Sequence, residues 1–155
     1  MMRHFLLICI TLVALVACKS GGPKGDGSET AGGDAAAMEE KLMVLHDEAM
    51  PKLNEINRLT AELNQIRSNV GETPEGKKEY PDGLNQVAEA LKLADQAMWD
   101  WMKAYSDTKP TIPADQLLSF YTKELEKIKS VNSGIDDSIE KAKSWLATHG
   151  TPPAK

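Results

Sequence analysis

Apolar residues recur at every third or fourth position along three long stretches of this chain, and this spacing constrains its fold more than any other feature. A helix turns once every 3.6 residues, so residues spaced in this way share one helical face. The first stretch therefore predicts an amphipathic helix and not a β-strand. Its apolar face consists of Met38, Leu42, Leu45, Ala49, Leu53, Ile56, Leu59, Leu63, Ile66 and Val70.

Two further stretches have the same spacing, and polar connections separate the three. The second apolar face contains Leu84, Val87, Leu91, Ala94, Met98, Trp101 or Met102, and Tyr105. The third contains Leu117, Tyr121, Leu125, Ile128, Val131, Ile135, Ile139, Ala142 and Leu146. We place the helices at about residues 34–70, 83–107 and 113–149, with Asp34 as the first N-cap and Pro113 in the first turn of the third helix.

Three amphipathic helices without any strand-like alternation predict an all-α domain over residues 34–150. The expected architecture is an elongated three-helix bundle with antiparallel, up-down-up topology. A coiled-coil homodimer is the alternative, but a strict 3.5-residue repeat is not kept through Lys52 and Leu53, which favours a monomer. Pro51 lies within the first apolar stripe, and because the stripe stays in phase across it we expect a kink rather than a break.

The N-terminal residues carry a different signal. A basic start at Arg3 and His4 precedes an apolar segment over residues 5–16. About twelve apolar residues rise about 18 Å as a helix, which is less than the ~30 Å of a bilayer's hydrocarbon core. We therefore expect a cleaved leader over residues 1–17 and not a permanent membrane span.

The end of this apolar segment resembles the lipobox of bacterial lipoproteins. The residues that carry the resemblance are Leu15-Val16-Ala17-Cys18. The resemblance implies cleavage between Ala17 and Cys18 and covalent attachment of lipid to Cys18. A leader cut by the ordinary secretory peptidase, with Cys18 present by coincidence, is the alternative.

A Gly- and Ser-rich segment follows Cys18. Apart from Cys18 itself, residues 18–33 contain no apolar side chain larger than that of Ala31, so we expect this segment to be a lipidated flexible tether. We also expect a disordered tail at residues 151–155. Residue 19 is Lys and not Asp. In enterobacterial lipoproteins an Asp at this place resembles an inner-membrane retention signal, so its absence favours the outer membrane.

Composition excludes several classes of function. The chain has 155 residues and two cysteines. Cys9 is removed with the leader and the sulfur of Cys18 carries the lipid, so the mature protein has no free thiol to form a disulfide, bind a metal or act as a nucleophile. Its net charge is −5, which argues against binding to nucleic acid or to an anionic lipid surface without an anchor. The three histidines are His4, His46 and His149, and no catalytic motif accompanies them. We therefore expect no enzyme.

One group of residues suggests a binding site. Antiparallel pairing of the first two helices puts four soft ligands at similar heights, and imidazole with thioether suits Cu(I) or a haem iron. These candidates are His46, Met50, Met98 and Met102. Met98 and Met102 lie on the apolar face, where Met usually fills the core. We therefore expect the Met side chains to pack in the core, with no bound metal and no cofactor beyond the lipid. We also expect four aromatic residues at the same end of the bundle: Trp101, Tyr105, Phe120 and Tyr121.

Two apolar residues fall outside the stripes. Met50 and Trp99 are both well off the buried faces of their helices, which is typical of a contact with a partner. A kink at Pro51 that turns both inward is the alternative. Acidic pairs such as Glu39-Glu40 and Asp136-Asp137 are interpreted as solvated faces.

Three segments resemble one group of small bacterial lipoproteins. The segments are residues 46–56, His-Asp-Glu-Ala-Met-Pro-Lys-Leu-Asn-Glu-Ile, residues 97–102, Ala-Met-Trp-Asp-Trp-Met, and residues 138–142, Ser-Ile-Glu-Lys-Ala. The group, common in the Bacteroidetes, often bears the label "viral A-type inclusion protein", and the likeness covers most of residues 38–145. It implies a lipid-anchored helical domain with no catalytic residues. We expect a non-catalytic interaction module of the cell envelope that contacts another envelope protein; a periplasmic metal or small-molecule binder is the alternative.

The lipobox leads to a direct test. Metabolic labelling with an alkyne fatty acid should mark the wild-type chain, and Cys18→Ser should abolish the label, because all the lipid is attached to Cys18, as diacylglycerol on its sulfur and an acyl chain on its amino group. Cys9→Ser is the matched control and should keep the label, since residue 9 is removed with the leader. A wild-type chain that takes up no label would overturn both the lipid anchor and the envelope location.

Overall fold

A computed structural model describes residues 27–71, 73–74 and 80–149. Within these residues the chain forms three α-helices and no strand: α1 (Gly27–Asn69), α2 (Leu84–Thr108) and α3 (Leu117–His149). Two short 3-10 turns, Lys109–Thr111 and Ala114–Gln116, connect α2 to α3. Each helix packs against the other two, so the predicted all-α three-helix bundle is confirmed.

Contacts between side chains define the directions of the helices. Near the start of both α1 and α3, the Tyr121 hydroxyl donates to Glu39 at 2.8 Å. Further along both helices, Lys143 pairs with Glu55 at 2.9 Å. Contacts that advance together along both helices mean that α1 and α3 run in the same direction.

The middle helix runs the opposite way. Tyr105, near the end of α2, donates to Glu39 near the start of α1 at 3.2 Å. Asn85, near the start of α2, accepts from Arg67 near the end of α1 at 3.1 Å. The order is therefore up, down, up, as the short connections between the helices require.

The core consists of the predicted apolar stripes. The largest side chains that are almost completely buried all belong to those stripes: Leu42, Ile56, Leu59, Leu63, Leu84, Leu91, Met98, Ile128 and Ile135. Two buried apolar residues were not predicted: Ala35 near the start of α1, and Trp145, which takes the deeper position at the end of α3 instead of Leu146. The indole nitrogen of Trp145 donates to the Asp82 carbonyl at 2.8 Å, which closes the connection before α2.

The ends of the helices differ from the prediction at two places. α1 begins at Gly27, so both the predicted N-cap at Asp34 and a flexible tether over residues 27–33 are wrong. Extending an existing helix adds one hydrogen bond for each residue that is ordered, and this can outweigh the poor helix propensity of Gly. α3 begins at Leu117 rather than 113, since the residues after Pro113 form a 3-10 turn. Residues 18–26 and 151–155 lie outside the described part of the chain.

Pro51 does not interrupt α1, which is one continuous helix on both sides of it. A proline cannot donate to the carbonyl four residues earlier, here that of Asp47. Pro51 lies on the exposed side of α1, where water can reach the unpaired carbonyl. The proline is therefore accommodated, and the apolar stripe stays in phase across it.

Two leucines on α2 test the packing of the bundle directly. Leu91 has no exposed surface, whereas Leu93 is 56% exposed. We expect Leu91→Ala to lower the free energy of unfolding by about 2–5 kcal/mol, because it removes apolar contacts and leaves a cavity. Leu93→Ala, the same change two residues away, should alter it by less than about 0.5 kcal/mol. Urea unfolding followed by circular dichroism measures both; equal losses for the two variants would contradict this packing.

Candidate functional site

An open groove runs between α1 and α2, because α1 packs more extensively on α3 than on α2. We call its most apolar part the Trp99 groove. Met50 and Asn54 line it from α1, and Asp95 and Trp99 line it from α2. The groove continues past Asp95 towards the other end of the two helices, where its lining is mainly polar.

The two residues that lie off the apolar stripes meet in this groove. Trp99 is 50% exposed, and Met50 is half-buried with its inner part against the core. The structure therefore brings Met50 and Trp99 together from facing helices. The alternative in which a kink at Pro51 turns both side chains inward is wrong for Trp99. Their role as a partner contact stays a prediction.

Met43 is a further exposed apolar residue on this side of α1, outside the lining of the groove itself, and the sequence interpretation missed it. It is 36% exposed and precedes Met50 by seven residues, which is two helical turns, so both lie on one side of α1. The seven-residue spacing from Met50 could have revealed it. Met43, Met50 and Trp99 together are called the docking surface below.

The Trp99 groove contains two carboxylates, and among the residues that the structure describes neither of them pairs with a Lys or Arg. Asp47 lines the groove, and the one polar contact of its carboxylate with a described residue is to the His46 ring nitrogen, at 2.9 Å. Asp95 is half-buried and forms no hydrogen bond or ion pair within the part of the chain that the structure describes. No Lys or Arg is among the described residues that line this part of the groove. It therefore combines exposed apolar surface with two carboxylates.

A second cluster lies at the end of the bundle where α2 and α3 are connected. Five rings form a row there, and the centres of neighbouring rings are 5.4–6.0 Å apart. In order along the row, the rings belong to His46, Trp101, Tyr105, Phe120 and Tyr121. The prediction that the four aromatic residues meet at one end is confirmed.

Two carboxylates accompany this aromatic row. Glu39 accepts hydrogen bonds from Tyr105 and Tyr121, and it also pairs with Lys109. The interpretation of Glu39 as part of a solvated face is therefore wrong. Buried tyrosine hydroxyls need an acceptor, and Glu39 is within reach of both.

Glu124 is the second carboxylate, and it is only 5% exposed. It accepts from the indole nitrogen of Trp101 at 3.0 Å and from Lys127 at 2.7 Å. The sequence interpretation missed this residue. A Glu at the spacing of the apolar stripe, three residues after Tyr121, is the signal that could have indicated it.

The environment of Glu39 changes the acidity of the groups around it. The hydrogen bond from Lys109 lowers the pKa of the Glu39 carboxyl, and the two tyrosine hydroxyls act in the same direction, while burial opposes them. Burial and the nearby Glu39 charge raise the pKa of Tyr121 to about 12. Glu39 is thus ionised at neutral pH, and the tyrosines are donors to it.

The candidate metal ligands are in different surroundings. His46 packs on Trp101, Met98 is buried in the core, Met102 is half-buried against it, and Met50 lies in the Trp99 groove. No three or more His, Cys, Asp or Glu residues among those described are arranged to hold a metal ion. The expectation of no metal stays a prediction, with binding of a soft metal by His46 and the Met residues as its alternative. Ala17 and Cys18 lie outside the described residues.

Comparisons with known proteins leave the family open. Neither a protein-family model, nor a curated protein, nor a solved structure matches this chain. The resemblance to the helical lipoproteins therefore stays a prediction. Among the described residues, none of the helices has the length and apolar character needed to cross a membrane.

The Glu39 contacts predict a stability that depends on pH. Glu39→Gln should lower the free energy of unfolding by about 1–2 kcal/mol at pH 7, because three donors lose a charged acceptor. Since the carboxyl pKa is lower in the folded chain, the wild-type advantage should be complete above its ordinary value of 4.5 and should shrink as the pH falls further. Glu40→Gln changes an exposed neighbour and is the control. A difference between wild type and Glu39→Gln that is constant from pH 7 to pH 3 would contradict this role.

Proposed function

We propose that this chain is a lipoprotein of the bacterial cell envelope, anchored through Cys18 to the outer membrane, whose helical bundle is a non-catalytic interaction module. The single observation that carries the interaction role is the docking surface. Trp99 is half exposed and Met50 half-buried where α1 and α2 face each other, and Met43 is exposed two helical turns before Met50 on the same side of α1.

The cost of this exposure supports the proposal. Transfer of a large apolar side chain out of water is worth about 1.5–3 kcal/mol, so the bundle gives up stability by leaving these residues exposed. Trp99 makes no ring contact and no hydrogen bond with the described residues, unlike Trp101 and Trp145. A tryptophan that the fold does not use, beside an adaptable methionine, is typical of the centre of a protein interface.

The shape of the groove supports a polypeptide as the partner. Two facing helices form its walls, and it extends from Met50 and Trp99 towards Arg67 and Asn85 near the other end of α2. Met50 and Arg67 are seventeen residues apart on α1, which corresponds to about 26 Å along the helix. A groove of this length between two facing helices fits one helix of a partner protein.

Site-specific crosslinking of the full-length lipoprotein in its own bacterium tests the proposal. A photoreactive benzoylphenylalanine replaces Asn54, which lines the groove while leaving Met50 and Trp99 unchanged. We expect one discrete adduct with another envelope protein, and we expect Trp99→Ala to reduce its yield at least several-fold, because the apolar contact is lost.

The same probe at Leu93 is the matched control. Leu93 is exposed on α2 but does not line the groove. It should give no adduct with that protein. An equal yield at positions 54 and 93, or no adduct at position 54, would overturn the proposed role of the groove.

A further inference from the structure

The Trp99 groove has a charge pattern that restricts what it can bind. Each wall supplies one carboxylate next to one apolar side chain. On α2, Asp95 precedes Trp99 by four residues, and on α1, Asp47 precedes Met50 by three. Residues three or four apart are neighbours on a helix surface. Any occupant that covers Met50 and Trp99 therefore also covers or approaches both carboxylates.

The cations nearest to these carboxylates along α2 are already paired elsewhere. Lys92, three residues before Asp95, pairs with Glu89 at 3.3 Å. Lys103, four residues after Trp99, pairs with Asp107 at 2.6 Å. Asp95 is left half-buried without a partner among the described residues. Its charge is thus available to a ligand.

This pattern argues against two other occupants. A second copy of the chain bound through the same surface would bring two sets of Asp47 and Asp95 carboxylates together, because a two-fold interface pairs identical patches. An anionic lipid surface would meet the same repulsion. Both would bury like charges without compensation, which is costly.

We propose that the Trp99 groove binds a cationic amphipathic segment of a partner protein. A Lys or Arg side chain of that segment lies over the exposed Trp99 ring and pairs with Asp95 and Asp47, while its apolar side chains cover Met43 and Met50. This assignment rests on the proposed function, since it names the chemistry of the partner at the same surface. An aromatic face and two carboxylates both favour a cation, and their contributions strengthen as the site is desolvated.

Three synthetic peptides test the proposal on the full-length protein purified in a non-ionic detergent. The peptides have sixteen residues and identical leucine positions, and they carry Lys, Gln or Glu at the polar positions. We expect fluorescence anisotropy to give the tightest binding for the Lys peptide, binding at least several-fold weaker for the Gln peptide, and none for the Glu peptide. Raising the salt from about 0.1 M to 1 M should weaken the Lys peptide most, because the screening length falls from about 10 Å to about 3 Å.

Matched variants then locate the binding. Trp99→Ala should weaken the Lys peptide about tenfold, as expected for a cation held over an aromatic ring. Asp95→Asn and Asp47→Asn should each weaken it about threefold, the size of a partly exposed ion pair. Asp115→Asn removes the same charge from the exposed turn between α2 and α3, away from the groove, and should have no effect. Equal binding of the Lys and Gln peptides, or equal effects of Asp95→Asn and Asp115→Asn, would overturn the proposal.

The crosslinking experiment separates this proposal from the one on which it rests. If the Asn54 adduct forms and depends on Trp99, but its yield is unchanged by Asp47→Asn and Asp95→Asn together, the groove is an interface whose partner is not cationic there. If no Asn54 adduct forms, the proposed function itself is overturned.

Discussion

The burial of three apolar stripes of unequal length is the interaction on which the rest of this structure depends. Three helices can each bury one face only by packing around a common core. Here α3 takes the largest share, because it packs extensively on both α1 and α2. α1 and α2 consequently contact each other less closely, and the groove between them is a direct result of the way the core is divided. The candidate site is thus a property of the packing and not of a separate loop or insertion.

A polar cluster fixes the positions of the helices relative to one another at one end of this core. Apolar contacts alone are not directional and leave the register along a helix weakly specified. Glu39 on α1 binds Tyr105 from α2 and Tyr121 from α3, so one carboxylate joins all three helices. The row of stacked rings beside it packs the same end. Such contacts contribute modestly to stability, but they exclude structures in which one helix is shifted by a turn.

The apolar periodicity allowed most of the fold to be predicted, because burial repeats at the helical period. Leu42, Leu91 and Ile128 lie in predicted stripes and are fully buried. The start of α1 at Gly27 was not predictable in this way, since residues 27–33 have no apolar side chain larger than that of Ala31 and form a helix only as an extension of one. Local propensity and tertiary context disagree there, and context decides.

The candidate site was predictable only in part, for a related reason. Met50 and Trp99 could be identified because they depart from their stripes, and a departure is visible in the sequence. Glu39, Glu124 and the charge of the Trp99 groove depend on which residues meet across helices, and that information is absent from the periodicity of one helix. The Glu39-Glu40 pair illustrates the point: two identical neighbours have different surroundings, because one faces Tyr105 and Tyr121 and the other faces solvent.

The proposed anchor and the proposed groove are linked by a requirement of affinity. A surface of one exposed Trp, two Met side chains and two carboxylates offers few strong contacts, and a partner also loses translational and rotational freedom when it binds. A groove of this kind binds weakly when both proteins diffuse freely. Attachment through Cys18 would confine the bundle to the membrane surface, and confinement of two partners to the same surface raises their effective concentration to about the millimolar range. The lipid would therefore do more than determine where the protein is located. It would allow a small groove to select its partner by charge without needing a large interface.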